Sequence, residues 1–320
     1  MAEKKVIAVL GATGAQGGGL VRAILADPSG EFAARAITRD PSSEKAQELA
    51  ALGAEVIAGD VDDEASLQAA FAGAHGTFCV TFFWAHFSPE LELKQASNMA
   101  NAAKAAGVSH VIWSTLEDTR EFIPLSDDRM PTLGERYKVP HYDAKGEANH
   151  FFTDAGLPVT FLQTSFYWDN FIYFGMGPAR GEDGGLSLTF PIADGRVAGI
   201  ASEDIGAAAY GIFKAGSEFI GKTVSIAGEH LTGEQMAAGF SRLIGEPVAF
   251  NAVSPEAYRS FGFPGAEDLG NMFQFTTEFE DQYCGVRDID ATRALNPGLK
   301  SFDQWLAANI ESVPVPVPVP

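Results

Sequence analysis

Only two of the 320 residues are cysteine, Cys79 and Cys284, too few for a disulfide framework. That scarcity suits a reducing compartment, and the expected location is cytoplasmic. Cys79 sits in the apolar string GTFCVTFFW and reads as a buried, inert thiol, with a catalytic thiol as the alternative. No apolar run is long enough for a bilayer, because charged or turn residues break each one within a strand's length. The opening MAEKKVIAVLG sets lysines before apolar residues, as a secretion signal does, but its apolar run stops at a glycine turn and reads as a first strand. Basic residues are scarce too: 22 Lys and Arg against 42 Asp and Glu give a formal charge of −20. Such a surface repels a phosphate backbone, so no direct nucleic-acid binding is expected. The six histidines lack a metal-binding spacing, and neither HEXXH nor GXSXG occurs. Metal hydrolysis and serine acyl transfer therefore have no support.

What the sequence does contain begins at residues 6–19, VIAVLGATGAQGGG. An apolar, β-branched run leads directly into glycines at Gly11, Gly14 and Gly17, with Ala12, Thr13, Ala15 and Gln16 between them. Gly11 permits a tight turn, Gly14 lets backbone N–H groups approach a pyrophosphate, and Gly17 allows close helix–strand packing. The positive end of the following helix then favours the anion. An ordinary βα turn without a ligand is the plainer reading. The stretch lacks the Gly-Lys-Ser/Thr ending of an ATP phosphate loop.

With 46% hydrophobic and 20% charged residues, the composition fits a globular chain of one large or two moderate domains. Strand-like segments at 6–10, 33–38, 55–58, 77–80, 108–114 and 159–163 alternate with helix-like ones at 18–26, 43–52, 64–70, 90–106 and 144–155. That alternation predicts an α/β fold with a Rossmann-type parallel sheet. From Phe166 onward the pattern turns irregular, with a loop at 175–185, strands at 186–190 and 223–227, and helices near 202 and over 232–244. Thr232 and Gln235 have capping-box spacing. The expected organisation is a dinucleotide-binding domain over 1–165 and a smaller α/β substrate or partner region over 166–312, some of it returning to the large domain. A Val-Pro tail at 313–320 reads as an extended tag or a peptide-recognition segment.

The second strand ends in Thr38-Arg39-Asp40. A basic residue at this tip favours a phosphorylated adenosine ribose and an acidic one the plain ribose. Arg39 can grip a phosphate in two places, so NADP(H) is preferred, with NAD(H) still open because Asp40 is adjacent. A surface Arg39–Asp40 pair touching no cofactor is the plain alternative. Asp60, at another strand tip, serves either an adenine pocket or a solvated loop.

Taken together with VTFFW at 80–84, ELKQ at 92–95, HYDAKGEAN at 141–149 and FYWDNF at 166–171, these motifs resemble the NmrA-like family of atypical short-chain dehydrogenase/reductases. The likeness runs over nearly the whole chain. FGFPGAEDLGNMFQF at 261–275 looks most like the vertebrate redox-sensor branch of that family. The resemblance implies cofactor contacts at 11–16, Thr38, Arg39, Asp60, Val61, Thr81, Phe82, Phe83, Lys94, Lys145, Tyr167, Trp168, Asp169 and Asn170. It also implies a nicotinamide near Lys145 and the loop after Gln163. Independently, Thr81 and Thr164 follow candidate strands, where ligand-facing loops are expected.

Ordinary members of the wider dehydrogenase group place a tyrosine four residues before the lysine; here His141 stands before Lys145. Pro140 can begin the helix, and the i,i+4 spacing puts both side chains on one face. His141 is chemically competent to donate a proton, yet a structural role beside Lys145 explains it as well. Tyr142 and Tyr137 are alternative donors without the lysine spacing, and Ser114 either holds a carbonyl or caps a turn. The sequence thus points to an NADP(H)-binding, redox-responsive regulator with a protein partner. The alternative is an NADPH-dependent oxidoreductase of a small carbonyl or quinone, with His141 and Lys145 as catalytic candidates; a purely structural partner-binding protein comes third.

Overall fold

Apolar strands and alanine-rich helices alternate through the first half, and each pair buries what the other leaves open. The computed structural model describes residues 3–315. Along it run β1 (Lys5–Val9), α1 (Ala15–Leu25), β2 (Phe32–Thr38), α2 (Glu44–Ala51), β3 (Glu55–Ala58), α3 (Glu64–Phe71), β4 (Gly76–Cys79), α4 (Pro89–Ala106), β5 (His110–Thr115), α5 (Pro140–Asp154) and β6 (Val159–Gln163). Three strands occupy the expected residues, 55–58, 159–163 and, in the second half, 186–190; most other boundaries move by a few positions. The helix expected from 144 starts at Pro140, whose ring pre-sets φ and whose missing N–H costs nothing at a first turn.

The later elements are β7 (Phe166–Tyr167), α6 (Asn170–Tyr173), β8 (Ala179–Arg180), β9 (Leu186–Phe190), β10 (Arg196–Ile200), α7 (Ser202–Lys214), β11 (Thr223–Ser225), β12 (Glu229–Thr232), α8 (Gly233–Ile244), β13 (Val248–Ala252), α9 (Pro255–Arg259), α10 (Ala266–Glu278), α11 (Glu280–Gly285), α12 (Ile289–Leu295) and α13 (Phe302–Asn309). The Thr232–Gln235 capping box forms, each side chain bonding the other's backbone. Residues 223–227 give only the three-residue β11, and the loop over 175–185 contains the two-residue β8.

The large sheet has the order β11-β6-β5-β4-β1-β2-β3, with every neighbouring pair parallel. This is a Rossmann-type sheet. Strand order reverses between β1 and β4, so their carboxyl ends flank the crevice where open α/β sheets take ligands. Leu20, Val21, Ile24 and Ile205 pack one face, while Leu67, Met99, Ala103 and Phe152 pack the other.

Two elements of the second half return to the large sheet and its covering helices. One is β11, which extends the large sheet beside β6. The other is α7 against α1, where a Cβ on Gly206 would fall 2.0 Å from the Leu20 nitrogen and one on Gly19 2.5 Å from the Glu203 carbonyl oxygen. Side chains there would drive the helices apart, so the glycine run beyond Gly17 serves packing. Two three-stranded sheets, β12-β10-β7 and β13-β9-β8, enclose an aromatic core of Trp168, Phe171, Phe240, Phe302 and Trp305. Val313 is buried against this core and Val315 packs on it, whereas residues 316–320 of the Val-Pro tail lie outside the described residues. Among the described residues, no helix is long and apolar enough to cross a membrane.

Candidate functional site

The chain leaves β1 through Gly11, whose φ of +60° lies in the left-handed region. Gly14 donates its N–H to the Gly11 carbonyl at 2.8 Å and then serves as the N-cap of α1, with no side chain to cap the helix. No acidic residue stands in the first turn, so its N–H groups and the positive end of the helix face outward unopposed. A Cβ at Gly17 would lie 2.5 Å from the carbonyl oxygens of both Leu10 and Gly11. Only glycine lets the helix begin this close to the strand. Ala12 is buried, Thr13 is half-buried and Ala15 is exposed on this turn.

Gln16 points elsewhere. Ser114 Oγ donates to its Oε1 at 2.8 Å, and its Nε2 donates to the Tyr167 hydroxyl at 2.5 Å. Tyr167 also shares a hydrogen bond with Thr164 Oγ1 at 3.2 Å. Gln16 and Ser114 thereby brace the glycine turn against the ends of β5 and β7. Ser165, in the same loop after β6, has a buried hydroxyl with no protein partner among the described residues. Such a group is costly unless something bonds it.

At the tip of β2, the Asp40 carboxylate accepts from the Ser42 N–H at 2.9 Å and the Ser42 hydroxyl at 2.6 Å, which hold it below the usual carboxylate range. Thr38 Oγ1 accepts the Asp40 N–H at 3.3 Å. Asp40 is thus occupied by its own turn. Arg39 is exposed and forms no hydrogen bond or ion pair with any described residue. Asp60 likewise folds back, accepting the Asp62 N–H at 3.0 Å, and the Val61 carbonyl accepts from Asn98 at 2.9 Å.

Lys145 on α5 meets Glu92 on α4, Nζ to Oε1 at 2.6 Å, and donates to Thr81 Oγ1 in the loop after β4. Thr81 also donates to Glu92 Oε1, and the Trp113 ring lies 5.3 Å from the ammonium. Burial pushes the Glu92 carboxyl up, but the Lys145 charge, the nearby His86 ring and hydrogen bonds from Lys145 and Thr81 outweigh it and hold the pKa at about 2 rather than 4.5. A carboxyl held low in the folded state stabilises the fold above its unfolded value. That contribution is therefore complete above pH 4.5 and is lost as pH falls toward about 2. Denaturant unfolding of wild type and Glu92→Gln across this interval is expected to show their stability difference changing with pH; parallel curves would contradict the assignment.

Lys94, two residues along α4, is exposed and points away from this pair, while Phe82 is exposed and Phe83 buried. Glu92 was not a candidate in the sequence, although it lies in the ELKQ match. His141 is fixed by Asp268 on α10: Nδ1 meets Oδ1 at 2.6 Å, and the His141 N–H donates to Oδ2 at 3.2 Å. The second bond also supplies the cap that Val139 cannot give α5. Phe83 and Trp84 stand against the imidazole with ring centroids at 6.0 and 4.7 Å. Nδ1 carries the proton to Asp268, which leaves Nε2 without a protein hydrogen bond among the described residues.

The two tyrosine alternatives turn out otherwise. Tyr142 is buried against the Tyr283 hydroxyl at 3.1 Å, and burial pushes its pKa well up; Tyr137 is buried, its hydroxyl without a partner among the described residues. Neither hydroxyl bonds Lys145, whose ammonium meets Thr81 and Glu92 instead. Trp168 packs into the aromatic core against Phe302 and Trp305. Asp169 accepts the Ser202 N–H at 2.8 Å at the start of α7, and Asn170 opens α6 half-buried. Cys79 is fully buried, and burial pushes its thiol up to about 12, which makes it inert.

A second buried ion pair secures the loops around the site. Arg287 is fully buried; Nη1 and Nη2 meet the two Glu117 oxygens at 2.6 and 3.0 Å, and Nε and Nη2 donate to the Thr164 carbonyl at 3.1 and 2.8 Å. Glu117 follows β5 and Thr164 follows β6. One guanidinium therefore ties the C-terminal helices to both loops.

Residues 3–306 match the NmrA-like family. The chain is similar to the "NmrA-like family domain-containing oxidoreductase hkm9" of Aspergillus hancockii, 31% identical over 307 residues that cover 92% of this chain and 89% of that protein. Among solved structures it is similar to NmrA, a negative transcriptional regulator, in complexes with NADP and with NAD. Each is 25% identical with a TM-score of 0.76, covering 95% of this chain and 94% of that one. Triphenylmethane reductase of Citrobacter sp., complexed with NADP(H), shares the fold at a TM-score of 0.72 and 23% identity, over 95% of this chain and 99% of that one.

Proposed function

The chain belongs to the NmrA-like family, and from that premise we propose that it binds NADP(H) and acts as a redox-responsive regulator. The observation that carries this reading is the contrast at its centre. The uncapped glycine cradle is complete, whereas the position of a dehydrogenase tyrosine holds His141, clamped by Asp268 and walled by Phe83 and Trp84.

In this reading the amides of 11–17 hold the pyrophosphate, Arg39 the 2′-phosphate, Lys145 the nicotinamide ribose and the Ser165 hydroxyl a polar group nearby. Bound NADPH supplies a hydride; NADP+ accepts one. A regulator must discriminate between the two, since a ligand shifts only an equilibrium whose states it binds unequally. Calorimetric titration is expected to give dissociation constants for NADP+ and NADPH that differ by about tenfold, roughly 1.4 kcal/mol of coupling. Equal constants, with identical hydrogen-exchange patterns over 82–87 and 261–275, would remove the regulatory reading.

A protein partner, residence in the cytoplasm and kinship with the vertebrate redox-sensor branch belong to the same proposal. So does a division near residue 165 between cofactor-binding and partner-facing regions. The likeness of the FGFPGAEDLGNMFQF sequence is what supports the kinship; the free, buried Cys79 and Cys284 suit a reducing compartment.

The second reading is NADPH-dependent reduction of a small carbonyl or quinone. It is favoured by the ring of His141, oriented by a carboxylate on Nδ1 with Nε2 left without a protein bond, and by the oxidoreductase names of relatives. Turnover of NADPH across aldehydes, ketones and quinones, lost in His141→Ala with cofactor affinity kept, would establish it; no oxidation above background would dismiss it.

A further inference from the structure

We propose that Glu92 is a positioning residue for Lys145, and that His86 steadies Glu92 from behind; the inference rests on dinucleotide binding at this site. An ammonium has three N–H donors. Here they meet Glu92 Oε1 at 2.6 Å, Thr81 Oγ1 and, at 3.5 Å, the Thr81 carbonyl, and the Trp113 ring covers another side at 5.3 Å. These contacts fix the amine, and the weakest of them, to the Thr81 carbonyl, is the one that a ligand hydroxyl would replace. Glu92 also sets a full negative charge against the ammonium, with its own side chain wholly removed from solvent.

The helix carrying Glu92 is itself secured. From α4, Gln95 donates to Asp62 at 3.0 Å and Asn98 to the Val61 carbonyl at 2.9 Å, so Glu92 is held against the loop after β3. On its far side, His86 Nδ1 accepts the Ser88 N–H at 3.0 Å, which places the ring proton on Nε2. That Nε2 faces Glu92 Oε2 at 3.5 Å, and neither atom has another partner among the described residues. Two sealed orphan atoms facing each other are satisfied together once the gap closes to an ordinary hydrogen-bond length. Thr81, His86, Glu92 and Lys145 thus form a chain from the loop after β4 to the cofactor lysine, and the carboxylate is its hub.

The test compares two ligands on the full chain. NADPH contains the nicotinamide ribose; adenosine 2′,5′-bisphosphate lacks it and engages only the adenosine end. Glu92→Gln is expected to raise the NADPH dissociation constant about tenfold, as for loss of a charge-assisted contact, and to leave adenosine 2′,5′-bisphosphate unchanged. His86→Gln is expected to move NADPH the same way by a smaller factor. In a crystal structure of the wild type with NADPH, the Lys145–Glu92 contact is expected to persist. An unchanged NADPH constant, an equal loss for both ligands, or a Lys145 that leaves Glu92 when NADPH binds would overturn the proposal. Should Glu92→Gln fail to fold, His86→Gln and the wild-type complex decide it by the same criteria. Wild type that binds neither ligand would instead refute the underlying cofactor reading.

Discussion

Arg287→Met is expected to cost about 3–5 kcal/mol of stability, because it leaves the Glu117 carboxylate buried without its cation. Arg287 is wholly buried and Glu117 nearly so, and the guanidinium also holds the Thr164 carbonyl and the Tyr283 carbonyl. Methionine fills part of the volume but restores none of these bonds. Two loop ends that face the crevice would then lose a shared anchor. The double variant Arg287→Met/Glu117→Leu removes the stranded charge as well and is expected to recover much of the loss. Guanidinium unfolding midpoints of the three proteins check the order; a single variant within 1 kcal/mol of wild type would show that the pair contributes little.

Arg39→Ala is expected to weaken NADPH by about 10- to 100-fold, the worth of a charge-assisted, two-pronged phosphate contact. NADH, which lacks the 2′-phosphate, is expected to bind as before. The argument rests on what the neighbours do: Asp40 spends its carboxylate on Ser42, so no acidic group competes at the tip of β2. Titration of both cofactors into both proteins decides it. Equal losses for NADPH and NADH would place Arg39 outside the phosphate site.

How far the sequence reaches depends on how local each signal is. The large sheet was legible because its central strands are short apolar runs, and because Gly11 takes a left-handed φ and Gly17 sits where no Cβ fits. The strands β7, β8, β10, β12 and β13 were not: two have only two residues, and β10 reads as RVAGI without alternation. Five helices after residue 252 also went unread: four carry aromatic residues in place of an alanine-rich pattern, and α12 is only seven residues long.

The site divides in the same way. Lys145 and His141 were visible from an i,i+4 spacing, but their partners were not. Asp268 is 127 residues from His141, and Glu117 is 170 from Arg287. Glu92 lay inside a motif whose lysine drew the attention; on a helix, only the side facing α5 could have singled it out. Trp168 and Asp169 came with the same family motif as Tyr167, yet the tryptophan serves the core and the carboxylate serves α7. A motif names neighbours in sequence, whereas the crevice is assembled from strand ends.

The most direct measurement is hydrogen exchange of the backbone amides of 11–17 with and without saturating NADPH. The cradle predicts slowed exchange there, because the unopposed N–H groups of the first turn gain acceptors from the pyrophosphate. Exchange unchanged by saturating NADPH or NADP+ would contradict dinucleotide binding at this turn.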